Sequence, residues 1–256
     1  MSDSPAAPSP NGAAAPTPVL PPLFRALEPL TAQRHGRLRV RDAGLGFARE
    51  ATVVPLAAEE FVAAARSLPI VFAAQAPHLP VAVTGLAAGH SLYVEADGRW
   101  RAGAYVPAYL RRHPFILVRS APNSDQLVLC IDPGAPQFSD SEGEALFDAE
   151  GKATPALDRA LGFCRALEEA ALRTRAMADG LAEAGLLKPA VVQFEQAGRP
   201  IRIDGFWAVD RAALGALPAE RLAMLRDRGW LEAIYAHLLS IGGLSSLAQQ
   251  AGPLGG

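Results

Sequence analysis

The chain has 256 residues and a formal charge of −2, from 24 basic and 26 acidic side chains, and half of its residues are hydrophobic. This length suits one large domain or two small ones with a substantial buried core. Because neither sign of charge dominates, no overall field favours nucleic acid, an anionic lipid surface or a strongly charged substrate. Binding of that kind would need a local site.

The two cysteines and the apolar runs bear on the cellular compartment. Cys130 and Cys164 each lie among apolar neighbours, a pattern typical of buried, unpaired thiols rather than of a disulfide framework or a CxxC pair. The N-terminal region lacks the basic and apolar stretches of a secretory signal. No uncharged apolar run approaches the roughly 18 residues that cross a bilayer. These features predict a cytoplasmic protein without a membrane span.

The first 22 residues differ in composition from the rest. They consist mainly of Ala, Pro, Ser, Asn and Gly with one acidic side chain, which is too little apolar surface to offset the entropy lost on ordering. We therefore predict a disordered tail over residues 1–22 and a single domain over residues 23–250.

The first half of the chain favours a sheet with one helix. From Pro55 to Ser67, a proline in the first turn, acidic residues after it and an Ala-rich interior predict a helix that ends before Pro69. Short apolar runs bounded by Gly, Pro, Asn or Asp predict antiparallel or mixed strands. These strands are Arg37–Val40, Phe47–Val53, Ile70–Ala73, Val81–Thr84, Ser91–Val94, Phe115–Arg119 and Gln126–Ile131.

The second half favours helices. A long apolar stripe predicts a helix from Pro155 to about Ala184, with Thr154 as its N-cap and Gly185 after its end. A hairpin follows around residues 197–199, then a short helix capped by Asp210, and two amphipathic segments separated near Gly229. The fold class predicted is α+β, with an antiparallel-rich sheet from the first half and helices of the second half packed on it.

Several separated sequence segments occur in the order found in the SapC family, and the chain therefore resembles this group of bacterial proteins, which is named for association with surface-layer protein genes. The resemblance implies a link to surface-layer or cell-envelope processes. His113 departs from the family pattern, in which an aromatic Tyr is expected before Pro-Phe. The segments are Ala102–Phe115, Leu127–Asp132, Leu146–Leu157, Ile203–Asp210 and Gly229–Ser240.

Sequence motifs of catalysis and cofactor binding are missing. There is no GxSxG elbow, P-loop or complete dinucleotide fingerprint. Cys130 lies within a predicted strand, and a buried strand thiol is usually inert, so we do not predict that it is a nucleophile. The histidines show no HxH or HExxH spacing, so we predict no metal and no cofactor. They are His35, His78, His90, His113 and His237.

The polar cluster with the strongest functional signal lies just before the Phe115–Arg119 strand. Guanidinium groups can grip carboxylate or phosphate, and phenols can stack or donate, so this cluster could bind an anionic or peptide ligand. The structural alternative is favoured: one arginine pairs with Asp132, which itself forms an Asx-type turn, and the other is solvated. The candidate ligand-binding residues are Tyr105, Tyr109, Arg111, Arg112, His113, Asp132 and His237.

Two testable expectations follow for this cluster. Arg111, Arg112 or both should contact Asp132, and a deep pocket would join the cluster to His237 if it is functional. His237 is otherwise a helix residue packed at the edge of the core.

Three functions stay open from the sequence. The leading hypothesis is a non-catalytic cytoplasmic accessory or binding protein of envelope processes with a protein or peptide partner, which binds no nucleic acid. The alternative is an enzyme, or an enzyme's helper, acting on a peptide or small anionic substrate through the Tyr-Arg-His-Asp cluster. The third is an interaction module that uses an exposed apolar patch.

Overall fold

The structure is a computed structural model that describes residues 20–121, 124–196 and 198–251. The predicted tail therefore lies outside the described residues except for its last three positions. Within the described part, helices and antiparallel strands are both abundant, and the predicted α+β class is confirmed. The strands are β1 (Glu28–Pro29), β2 (Arg39–Val40), β3 (Val53–Pro55), β4 (Ile70–Ala73), β5 (Pro80–Val83), β6 (Phe115–Arg119), β7 (Leu127–Ile131), β8 (Phe138–Ser139), β9 (Glu144–Ala145), β10 (Leu187–Gln196) and β11 (Arg199–Val209).

The helices become longer and more frequent after residue 154. Two 3₁₀ turns in the first half, Gly46–Ala48 and Ala58–Glu60, supplement three one-turn helices. The α-helices are α1 (Ala32–His35), α2 (Phe61–Ala64), α3 (Ala108–Arg111), α4 (Pro155–Glu183), α5 (Arg211–Gly215), α6 (Ala219–Asp227), α7 (Trp230–Ser240) and α8 (Gly243–Ala251).

The largest sheet has the order β10-β11-β4-β5-β3, and its neighbouring strands are antiparallel. The predicted hairpin of the second half supplies two of its strands, and Trp207 of β11 pairs with Phe72 of β4. Helix α7 contacts both β4 and β11, while α8 contacts β10. The main hydrophobic core forms where these helices cover the sheet, with Phe72, Ile234 and Leu247 almost fully buried.

A second sheet, β1-β7-β6, supports the polar cluster. Along β7 the side chains alternate: Ile131 packs in the apolar cluster beneath α4, and Cys130 packs with Phe24 and Ile116 on the other face. This is the alternation expected of a strand. In a small third sheet, β8-β2-β9, Val40 and Phe138 pack in the same apolar cluster as Phe115 and Ile131 of the second sheet.

Helix α4 runs along the molecule for 29 residues. Pro155 is in its first turn after Thr154, and Gly185 follows its end with a φ of 68°, as predicted. The Thr154 hydroxyl donates to the Ala145 carbonyl at 2.6 Å rather than capping the helix. Near the C-terminal end, Gly180 is so close to the edge of the Trp230 ring that a Cβ atom there would be 2.6 Å from it.

The predicted helix from Pro55 to Ser67 is wrong in its first half. Pro55 ends strand β3, and only a 3₁₀ turn and the single turn of α2 follow. The reason is a tertiary contact of Glu60, whose carboxylate accepts from the backbone N–H of Ala108, far along the chain, as well as from that of Ala57 at the start of the turn. The tertiary contact fixes a tight turn where local propensity favours a regular helix.

Two predicted strands are largely absent from the described chain. Residues 47–53 form the end of a 3₁₀ turn and the start of β3. Residues 91–94 form only an isolated bridge between Val94 and Trp100. In both stretches backbone groups bond to loops: the Ser91 N–H, for example, donates to the Arg49 carbonyl at 2.8 Å. Apolar composition alone does not distinguish such loops from strands.

One helical stretch has the length and composition of a membrane span. This stretch, Trp230–Ala251, includes α7 and α8. An 18-residue window within it has a mean hydropathy of 1.2, and half of that window is buried inside the fold. A core helix passes the same test, so the stretch is weak support for a span.

Both thiols are expected to be unreactive in the folded protein. Cys130 and Cys164 are free and buried, and burial raises the pKa of both, that of Cys164 to about 11. Because the thiolate is the reactive form, a thiol-specific reagent should label the native protein slowly and label two thiols after denaturation. Fast labelling of the native protein, or a disulfide-linked fragment in a non-reducing digest, would contradict this.

Candidate functional site

The polar cluster is built on a short stretch between two core strands. Pro107 is the N-cap of α3, Arg111 is its last residue and Arg112 its C-cap, and a cis peptide bond joins His113 to Pro114 before β6 starts. The stretch touches elements from distant parts of the sequence. Its polar side chains therefore contact several different elements.

Glu60 organises the first part of the cluster. Its carboxylate is 8% exposed and accepts from the Tyr105 hydroxyl at 2.9 Å and from the Ala108 N–H at 2.6 Å. Arg111 lies 4.0 Å from the same carboxylate and donates to the Tyr105 hydroxyl at 3.2 Å. Burial, followed by the negative charge of Glu60, raises the pKa of Tyr105. Tyr105 is thus a neutral hydrogen-bond donor that ties the stretch to the turn before α2.

Arg112 occupies the centre of the cluster and is 7% exposed. Its guanidinium lies over the Tyr109 ring, 4.1 Å from the centroid, and its Nη1 is 3.4 Å from Glu168 on α4. The Tyr109 hydroxyl donates to the Pro22 carbonyl at 2.8 Å. Within the described chain the Nε of Arg112 has no hydrogen-bond partner. The side chain is held by stacking and one ion pair, and its Nε–H group is buried.

His113 packs between aromatic rings and beside Asp132. Its ring stacks on Phe47 with centroids 3.9 Å apart, and its Nε2 lies 3.9 Å from the Asp132 carboxylate. Burial lowers the pKa of His113 to about 4, although Asp132 and the Gln137 side chain act in the opposite direction. The imidazole is consequently neutral near pH 7. Among the described residues its Nδ1 has no partner.

Asp132 has the turn role that the sequence suggested. Its carboxylate, almost fully buried, accepts from the Gly134 N–H at 3.3 Å, as an Asx-type turn requires, and from the Arg25 N–H at 2.8 Å. The expected contact with Arg111 or Arg112 is wrong. Those guanidinium groups pair with Glu60 and Glu168 instead, because α3 faces the 3₁₀ turn and α4 while Asp132 faces the segment that precedes β1.

His237 is not part of the cluster. It is fully buried in the main core, where its Nδ1–H donates to the Ile70 carbonyl at 2.9 Å and its Nε2 accepts from the Val209 N–H at 3.1 Å. These two bonds bridge the backbones of β4 and β11, and they fix the neutral tautomer of the ring. The expected pocket joining His237 to the arginines is therefore not formed.

A cleft with a volume of about 500 Å³ opens beside the cluster, within the range of roughly 300–1,000 Å³ of small-molecule sites. Its charged lining residues are four arginines and one aspartate. Two buried polar residues, His113 and Gln137, line it as well, whereas Tyr105 and Tyr109 do not. The charged side chains are Arg41, Asp42, Arg111, Arg112 and Arg159.

The sequence reasoning missed three residues of this region: Glu60, Gln137 and Glu168. Gln137 is 6% exposed, and among the described residues its Oε1 has no hydrogen-bond partner. Glu60 follows Ala57 by three residues, the spacing at which a glutamate reaches back to an N-terminal N–H, so it could have been found. Neither Gln137 nor Glu168 lies in a recognisable pattern.

No group of three or more His, Cys, Asp or Glu side chains converges as metal ligands in the described part of the chain.

Stability is expected to fall as the pH drops from about 6.5 to about 4. Burial lowers the pKa of His113 and of His237 to about 4, whereas an unfolded chain protonates imidazole near pH 6.5. Between these values the unfolded state binds more protons, so the free energy of unfolding rises with pH, by about 1.4 kcal/mol per unit for each group.

Urea unfolding at about pH 7.5 and about pH 5 tests this dependence. The double variant His113→Phe/His237→Gln, with both titrating rings removed, should show a flatter profile across the same window. An equally steep profile in that variant would assign the loss of stability to other groups.

The comparisons with known proteins give one finding. Residues 30–247, which are most of the chain, match the family model SapC. The search of curated proteins returned no match, and neither did the search of solved structures.

Proposed function

Because this chain belongs to the SapC family, we propose that it is a non-catalytic cytoplasmic binding protein of bacterial surface-layer or envelope processes, which takes a small anionic or peptide ligand in the arginine-lined cleft. The envelope link is supported by the family resemblance. The ligand class is supported by the charge of the cleft.

The observation that carries the proposal is the excess of guanidinium groups on the cleft wall. Arg159 and Arg41 pair with Glu144 and Glu142, and these pairs are largely exposed. Exposed ion pairs of this kind contribute about 0–1 kcal/mol, so a ligand can exchange for either acidic partner at little cost. Guanidinium groups bind carboxylate and phosphate through two parallel hydrogen bonds.

The lining favours binding over covalent catalysis. Among the described residues that line the cleft there is no Ser, Thr, Cys, Lys or Tyr, and the side chains of a nucleophilic type are Asp42 and the buried His113. The enzyme hypothesis requires Arg111 or Arg112 to contact Asp132. The two arginines pair with Glu60 and Glu168 instead, and Asp132 accepts from backbone N–H groups. The enzyme hypothesis is therefore the less favoured alternative.

Calorimetric titration with two probes, N-acetylglycylglycine and inorganic phosphate, tests the proposal. At least one probe should bind the wild-type protein, and the double variant Arg111→Gln/Arg159→Gln should bind it about tenfold or more weakly, because each charge-assisted hydrogen bond contributes about 1.5–3 kcal/mol. Arg221→Gln on α6, an exposed position outside the cleft, is the matched control. Equal binding by the double variant and the control, or no binding of either probe, would overturn the proposal.

A further inference from the structure

Helices α2 and α7 pack against each other and present large apolar side chains to solvent. On α7, Tyr235 and Leu239 are four residues apart, which places them on one face, and they are 53% and 76% exposed. Val62 on α2 is 50% exposed. Single exposed apolar residues are common, but three on one pair of packed helices form a surface feature. These three residues are called the α2–α7 patch.

The sequence that continues from this patch through α7 and α8 carries no acidic or strongly basic side chain. Residues 233–251 contain no Asp, Glu, Lys or Arg, and their one imidazole, His237, is buried in the core. The stretch Trp230–Ala251 has the composition of a membrane span, but half of its most apolar window is buried inside the fold. The exposed half, rather than the whole stretch, is therefore the part that can meet a bilayer.

The charges that flank the α2–α7 patch are mainly positive. Val62 and Glu232 line one depression, and Arg66 and Leu239 line a second. Among the described residues of the two walls there are four arginines and two glutamates, and one of these glutamates already pairs with Arg173. The charged side chains of the two walls are Glu59, Arg66, Arg101, Arg173, Arg228 and Glu232.

Two of the arginines are available to bind another group. Arg66 and Arg228 are exposed, and within the described chain neither forms an ion pair. Arg228 lies over the Trp230 ring, 4.8 Å from its centroid. A solvated, unpaired guanidinium can bind an anionic group without first breaking an ion pair. Exposed apolar side chains beside such cations are the combination by which proteins bind the surface of a charged bilayer.

We infer that the α2–α7 patch docks on an anionic lipid bilayer, with its three apolar side chains entering the interface and Arg66 and Arg228 binding acidic head groups. The chain as a whole has a formal charge of −2, so the attraction is local to this face. The inference is independent of the arginine-lined cleft and its ligand. It adds a membrane surface as a binding partner of the protein.

Two other occupants of the patch fit less well. In a symmetric dimer, the same surface of a second copy would bring two net positive rims together, and like charges across an interface are unfavourable. A small apolar ligand needs a concave site, whereas Leu239 is 76% exposed. A lipid surface accepts the exposed apolar side chains and is complementary in charge to the rims.

Sedimentation of the full chain with lipid vesicles tests the inference. We expect binding to vesicles made from equal parts of phosphatidylcholine and phosphatidylglycerol. Binding to vesicles of phosphatidylcholine alone should be about tenfold or more weaker, since each arginine near an anionic surface raises the affinity about fivefold.

Two variants separate the apolar contribution from the charged one. Tyr235→Ser/Leu239→Ser should weaken binding to the mixed vesicles about tenfold or more, because membrane affinity scales with the apolar area that is buried. Arg66→Gln/Arg228→Gln should remove most of the preference for anionic vesicles. Leu127→Ser, at an exposed position of β7 that lines neither depression, is the control. All of these positions are exposed, so each variant should fold, which circular dichroism checks.

Three results would overturn the inference. The first is no binding of the wild-type protein to either kind of vesicle, and the second is equal binding by Tyr235→Ser/Leu239→Ser and the control. The third is a concentration-dependent dimer that the same double variant dissociates, without vesicle binding, which would assign the patch to a second copy. None of these results would affect anion binding in the cleft, which the calorimetric titration tests separately.

Discussion

Replacing His237 with leucine is expected to lower the free energy of unfolding by about 2–6 kcal/mol. Leucine fills a similar volume but leaves the Ile70 carbonyl and the Val209 N–H buried without partners, and each orphaned group costs about 1–3 kcal/mol. The two groups belong to adjacent strands of the central sheet, so the loss should reduce the stability of the whole domain. Urea unfolding followed by circular dichroism measures it.

The variant His237→Gln separates hydrogen bonding from packing. A glutamine amide can donate to one backbone group and accept from the other, so this variant should be less destabilised than His237→Leu. His90→Leu, at an exposed loop position, is the control and should change stability by no more than about 0.5 kcal/mol. If His237→Leu is as stable as this control, the bridge does not contribute to stability.

Replacing Glu60 with alanine is expected to cost about 3–6 kcal/mol. The buried carboxylate accepts from two backbone N–H groups and from the Tyr105 hydroxyl, and each hydrogen bond to a charged group contributes about 1.5–3 kcal/mol, with incomplete additivity. Arg111 would also lose its buried counter-charge.

The neighbouring Glu59 provides a matched control for this prediction. Its pair with Arg173 is largely exposed, so Glu59→Ala should cost at most about 1 kcal/mol. Comparing the two variants by thermal and urea unfolding distinguishes the buried carboxylate from a general effect of removing charge. Equal, small losses in both variants would show that the Glu60 network is not a stabilising feature.

The elements predicted correctly are those with a strong local signal. Helix α4 has a continuous apolar stripe, a proline in its first turn and a glycine after its end, and it was predicted to within one residue. The hairpin β10–β11 and the capping of α5 by Asp210 were also predicted from local signals. The Asp210 carboxylate accepts from the Ala212 N–H at 2.9 Å. Such features depend on neighbours within a few residues.

The errors have tertiary causes. Local composition favours a regular helix after Pro55, but the contact between Glu60 and Ala108 spans 48 residues and imposes a 3₁₀ turn. The residues around Glu60 in the sequence do not predict that its carboxylate binds the Ala108 N–H. Helix propensity is a weak preference that such contacts override.

The structure brings together only some of the residues predicted for the candidate site. Arg111, Arg112 and His113 line one cleft, and their clustering could be predicted because they are consecutive in the sequence at the end of α3. The predicted pairing with Asp132 was wrong because closeness in the sequence does not show which way a side chain points. Arg112 instead contacts Glu168, 56 positions away. His237 was placed in the site by its chemistry alone, although its surroundings in α7 are those of a core residue.

The contact between Gly180 and Trp230 implies an exception to a general rule of protein engineering. A glycine in a helix interior costs about 1 kcal/mol relative to alanine, so Gly-to-Ala exchanges in helices usually stabilise. In α4 the added methyl group would instead meet the indole at 2.6 Å. The close packing of the indole edge against α4 thus depends on a residue that weakens that helix, and a conventional thermostabilising design would select this position for change and force the Trp230 ring to move.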